Sequence, residues 1–128
     1  MKYSNRILVV DDDPASGMLM KELLQPHFSD VVNVESGIEA IAHCKKGNIF
    51  DLVFMDLLMR DMDGLSATKA IKKINPHLPI VAHSAVLNHD TKTKCSEAGI
   101  NTFLAKPIKQ RELENIIREF LHVDLKLY

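Results

Sequence analysis

The chain has 128 residues, 46% of them hydrophobic and 26% charged, with a formal net charge of −1. That length suits one domain with a proper core, and the composition excludes an intrinsically disordered segment. The near-neutral charge offers no basic surface for nucleic acid or an anionic membrane, and no apolar run is long enough to span a bilayer.

The first predicted element is a strand over residues 7–10, which ends in three aspartates, Asp11, Asp12 and Asp13. Asp13 before Pro14 reads as a helix cap followed by a first-turn proline, rather than as a ligand. The helix it opens is expected to turn Met18, Leu19, Leu23 and Leu24 inward. A second strand is predicted over residues 31–34, and Ser36 and Gly37 open a second helix, with Ile38, Ile41 and Ala42 inward and a stop near Gly47. The third run, residues 52–55, is apolar at every position, which fits a strand covered on both faces of a parallel sheet. It ends in Asp56.

A third helix is predicted over residues 66–74, with Ala67, Ala70, Ile71 and Ile74 at helical spacing and an end forced before Asn75 and Pro76. A fourth strand, residues 80–82, leads through His83 to Ser84. The polar stretch 88–98 is read as a helix closed by Gly99. The fifth strand, residues 102–105, runs into Lys106 and Pro107. Residues 111–121 form an amphipathic helix presenting Leu113, Ile116, Ile117, Phe120 and Leu121. Residues 123–128 are read as a frayed end or a partner contact. Cys44 and Cys95 lack metal-ligand spacing and are expected as reduced thiols of a cytoplasmic protein with no signal peptide.

Alternating strands and helices imply an α/β fold: a flavodoxin-like, doubly wound, five-stranded parallel sheet in the order 2-1-3-4-5, with five helices. Its ligand crevice lies outside the carboxyl ends of strands 1 and 3, where Asp11, Asp12 and Asp56 stand. Clustered carboxylates repel and raise one another's pKa, so the pocket calls for a cation. Hard Mg²⁺ takes one or two carboxylates and leaves room for phosphate oxygens. Ser84 and Lys106, at the ends of strands 4 and 5, add a hydroxyl and an ammonium. A carboxylate in such company is able to act as nucleophile toward a phosphoryl group.

With these motifs in this order and spacing, residues 5–121 resemble a receiver domain of the two-component response-regulator family, followed by a short tail over 122–128. The resemblance implies that Asp56 accepts the phosphoryl group from a histidine kinase or a histidine phosphotransfer protein. It implies Mg²⁺ bound by Asp12, Asp56 and the backbone carbonyl of Leu58, with Asp11 acting mainly through water. Ser84 and Phe103 are the implied switch pair, Lys106 is the family lysine, and the Lys106-Pro107 bond is often cis in the family. Met62, Asp63 and Gly64 are similar to the family's turn after the acceptor. Arg60 stands where the family usually has proline. Leu58 and Val86 occupy its two variable positions, and being apolar they imply slow loss of phosphate. The segments 64–68 and 103–108 resemble receivers fused to hybrid histidine kinases. A fused kinase, a separate downstream effector and a homodimer formed on phosphorylation all stay open.

Two other readings compete. A haloacid-dehalogenase-type phosphatase would use Asp11 and Asp13, but Ala15 replaces the expected Thr or Val, no acidic pair follows the lysine, and Asp56 would be idle. A phosphorylation-independent interaction module of the same fold would normally have lost an acidic residue or the lysine. His83 tempts a general-base role, yet strand alternation turns it away from the face of Ser84, so packing is expected.

Overall fold

The computed structural model describes residues 1–127. Five strands, β1 (Tyr3–Val10), β2 (Phe28–Val34), β3 (Leu52–Met55), β4 (Ile80–Ser84) and β5 (Thr102–Ala105), alternate with five helices. The helices are α1 (Pro14–Leu24), α2 (Gly37–Lys45), α3 (Gly64–Ile74), α4 (His89–Ala98) and α5 (Gln110–Leu121). The strands pair in parallel in the order β2-β1-β3-β4-β5, as the alternation of elements predicts.

Side chains that alternate across the sheet feed two cores. Ile7, Val9, Leu52 and Phe54 share one with Met20, Leu24, Leu113 and Ile117. Leu8, Val10, Val53 and Met55 share the other with Ala40, Ala67, Ile71 and Cys95. Four helices start on a side chain that accepts from a first-turn amide: Asp13 from Ala15, Ser36 from Glu39, Asp63 from Ser66, and Asn88 from Thr91. Asn88 and the left-handed Gly99 (φ 103°) close both ends of α4, which forms despite its polarity.

Three inward faces differ from the sequence reading. In α1 the buried stripe is Gly17, Met20 and Leu24, and Met18 and Leu19 are exposed. In α2 Gly37, Ala40 and Cys44 are buried, whereas Ile38 is exposed. In α3 Asp63 caps a helix that begins at Gly64 rather than Ser66, and Ile74 is exposed. In α1 and α2 the cause is close approach: a Cβ at Gly17 would lie 2.8 Å from Oδ1 of Asn33. At Gly37 an added Cβ would lie 3.1 Å from Cβ of Ala67, so a small residue takes the inward position and the larger apolar one rotates outward.

Residues 123–127 pack against the domain rather than fraying. His122 takes a left-handed turn (φ 59°) after α5. Beyond it Val123 and Leu125 are buried in the first core while Asp124 and Lys126 face solvent. The amide of Leu127 donates to Oε2 of buried Glu114 at 3.3 Å, and Arg118 pairs with Asp124 at 3.3 Å. Tyr128 lies outside the described residues. Leu125→Ala is therefore expected to destabilise the fold by about 2–4 kcal/mol, read as a lowered urea midpoint. An unchanged midpoint would mean that the segment adds nothing to the core.

Candidate functional site

The sheet register builds the site. Val10 lies opposite both Val34 and Met55, so β1 and β3 end at the same level. The ladder continues one residue further: the Asp11 amide donates to the Val34 carbonyl at 3.1 Å and the Asp56 amide to the Val10 carbonyl at 2.9 Å. Both aspartates are thus fixed through their backbone before their side chains engage anything. The segment after Asp56 is held just as closely. The Gly64 amide donates to the Leu57 carbonyl at 3.0 Å. A Cβ at Gly64 would fall 2.2 Å from the Asp56 carbonyl oxygen, so only glycine lets α3 start there.

Asp11, Asp12 and Asp56 converge with ligand-capable oxygens all within 4.8 Å of one another. Asp11 and Asp56 are 2% and 5% exposed. Lys106 Nζ lies 2.9 Å from Asp11 Oδ2 and 3.6 Å from Asp56 Oδ2. The Asp13 amide donates to Asp11 Oδ1 at 3.0 Å, and the Leu58 amide to Asp56 Oδ1 at 3.2 Å. Asp12 is engaged by Arg60, whose amide donates to Oδ2 at 3.0 Å and whose Nε lies 3.6 Å from the same oxygen.

Two buried carboxylates, Asp11 and Asp56, share one ammonium, and the titration of these three groups reflects it. Burial and the Asp11 carboxylate push Asp56 up to about 6, against the opposing pull of Lys106 and the Leu58 amide. Burial also pushes Asp11 upward, but Lys106 and the Asp13 amide outweigh it and hold Asp11 below the usual carboxylate range. Burial would lower Lys106, yet Asp11 and Asp56 together raise it. An all-oxygen set with excess negative charge fits a hard divalent cation such as Mg²⁺.

Ser84 is buried opposite Ala105. Its carbonyl accepts the Lys106 amide at 3.0 Å, and its Oγ accepts the Val86 amide at 3.2 Å. Phe103 is half-buried beneath Lys92, whose Nζ stands 5.4 Å from the ring centroid. Lys106-Pro107 is cis. Leu58 and Val86 are 65% and 43% exposed at the crevice rim. His83 is buried, as expected of a packing residue, and lines a cavity of about 270 Å³ with Ser16, Leu19, Lys106 and Pro107. Burial, with Lys106 adding to it, lowers His83 to about 4.

Residue types alone did not reveal the amide contacts on the carboxylates, above all that of Arg60 on Asp12. Their signal is backbone geometry in the two turns after Asp11 and Asp56.

The Asp56 pKa makes stability depend on pH. Its folded value lies above 3.8, so its contribution is complete below pH 3.8 and is lost as pH rises through about 6. His83, depressed from 6.5 to about 4, acts with opposite sign in the same window. Comparison with Asp56→Asn isolates the aspartate. In metal-free buffer the variant is expected to be more stable than wild type at pH 7 by about 2–3 kcal/mol, with the gap closing toward pH 4. Parallel curves in a urea-unfolding series across pH would contradict the assignment.

The profile of the response regulator receiver domain family matches residues 7–118. The chain is 36% identical over 126 residues to the sensor protein GacS of Pseudomonas syringae pv. syringae, covering 94% of this chain and 14% of that protein. It is 33% identical over 126 residues to the hybrid signal transduction histidine kinase L of Dictyostelium discoideum, covering 93% of this chain and 7% of the relative. The chain therefore spans a small fraction of these relatives. A solved structure, the receiver domain of the sensor histidine kinase PA1611 from Pseudomonas aeruginosa PAO1, superposes with a TM-score of 0.85 at 29% identity. That match covers 94% of this chain and all of the other, which carries a magnesium ion in its active site cleft. The profile match over most of its length shows that the chain belongs to the response regulator receiver domain family, a family of regulatory switches.

Proposed function

We propose that this receiver takes a phosphoryl group onto Asp56 from a phosphohistidine on a histidine kinase or histidine phosphotransfer protein. The observation that carries the reading is the bridging position of Lys106 between two buried carboxylates, beside a third at the mouth. An Asp56 oxygen attacks phosphorus, the O–P bond forms as the N–P bond breaks, and the imidazole leaves with the electron pair. Asp11, Asp12, Asp56 and the Leu58 carbonyl would hold Mg²⁺, which supplies charge neutralisation for phosphate and carboxylate together. Lys106 offers an ammonium already placed beside the attacking oxygen.

The output is a packing change. Ser84 Oγ leaves the Val86 amide for a phosphoryl oxygen, and Phe103 leaves Lys92 and turns into the space vacated. That alters the surface formed by α4, β5 and α5, which a fused kinase, a separate effector or a second copy would read. We place the protein in the cytoplasm, where a kinase supplies phosphohistidine. We read residues 5–121 as the receiver core, with the segment beyond α5 completing it.

Leu58 and Val86 offer no group to orient a water, so loss of phosphate is slow. Intact mass after incubation with acetyl phosphate is expected to show one phosphoryl adduct, dependent on Mg²⁺ and absent in Asp56→Asn. Val86→Glu should shorten the adduct lifetime about ten-fold, the effect of one water-orienting bond worth about 1.4 kcal/mol. No adduct on folded wild type would favour a phosphorylation-independent interaction module, and steady phosphate-ester turnover would favour a phosphatase.

A further inference from the structure

We propose that Arg60 is a positioning residue that holds Asp12 in the metal-free state and thereby weakens Mg²⁺ binding. The inference rests on the metal reading above and deepens it. Two separate groups of Arg60 converge on one oxygen: its amide lies 3.0 Å from Asp12 Oδ2 and its guanidinium Nε 3.6 Å from that oxygen. Asp12 is the outermost of the three carboxylates, with its side chain 20% exposed, and Lys106 reaches the other two rather than Asp12. Arg60 is therefore the cation that serves the one carboxylate Lys106 leaves without charge compensation.

The amide contact exists only because residue 60 is not proline, which has no N–H to give and fixes φ. A proline at this position would remove the amide hydrogen bond and the positive charge together, leaving Asp12 to be compensated by water or metal. Arg60 supplies both, and each competes with a divalent ion for Asp12. The guanidinium part is modest, since the side chain is 90% exposed and solvent screens it. The amide part is insensitive to salt and directional. The protein is consequently set to load Mg²⁺ at a higher concentration than a chain with the same three aspartates and a proline at residue 60.

Calorimetric Mg²⁺ titration of wild type, Arg60→Ala, Arg60→Lys and Arg60→Pro separates the two contributions. Arg60→Ala keeps the amide and loses the charge, and should bind about three-fold tighter at low ionic strength, the gain vanishing in 0.5 M salt as expected for a screened pair. Arg60→Lys keeps both and should match wild type. Arg60→Pro loses both and should bind tighter still, at either salt concentration. Equal or weaker binding by Arg60→Ala and Arg60→Pro, with wild type binding normally, would overturn the role of Arg60 while leaving the metal site intact. Absence of Mg²⁺ binding in every protein, wild type included, would overturn both.

Discussion

Everything at the crevice follows from the crowding of carboxylates at the ends of two neighbouring strands. Parallel pairing of β1 with β3 brings Asp11 and Asp56 to one level, and burial removes the water that would otherwise screen their mutual repulsion. One ammonium, Lys106, must serve both. It lies closer to Asp11, and the split is visible in the pair's titration: Asp11 is held ionised while Asp56 is pushed up to about 6. An asymmetric pair of this kind leaves the under-compensated carboxylate as the one most altered by a new charge. A phosphoryl group or a divalent ion is such a charge.

The surroundings tie that imbalance to the rest of the domain. Lys106 follows β5, and its amide is bonded to the Ser84 carbonyl of β4. Ser84 Oγ is in turn bonded to the amide of Val86, two residues on. Phe103 lies on β5, three residues before Lys106, under a lysine of α4. The site therefore reaches α4 through short, continuous contacts across two strands. On the other side Gly64 presses the start of α3 against the backbone of Asp56 with no room for a side chain. The loop after Asp56 is thereby fixed at its far end.

The sheet and most of the site were legible in the sequence because each depends on residue type at a strand end. Residues 52–55 are apolar throughout, and all four are buried. Asp11, Asp56, Ser84 and Lys106 each follow or end a strand, and the strand order brings them together. Even α4 was readable from Asn88 and Gly99, whose end chemistry outweighed a polar interior. What was hidden depended on distance rather than type. Gly37 and Ala40 take the buried places in α2 because α3 lies so near, and hydrophobicity pointed instead to Ile38. The segment after α5 carries a period-two signal, with Val123 and Leu125 in and Asp124 and Lys126 out. Its short length hid what it would pack against. The grip of Arg60 on Asp12 runs partly through an amide that every residue but proline carries.

A phosphoryl group on Asp56 would convert added charge into packing through Ser84 and Phe103. The most direct measurement is a crystal structure with Mg²⁺ and trifluoroberyllate, a phosphoryl mimic. The expected structure has the mimic on an Asp56 oxygen, Ser84 Oγ moved from the Val86 amide to a fluorine, and Phe103 turned inward away from Lys92. A bound mimic with Ser84 still on Val86 and Phe103 still beneath Lys92 would contradict it.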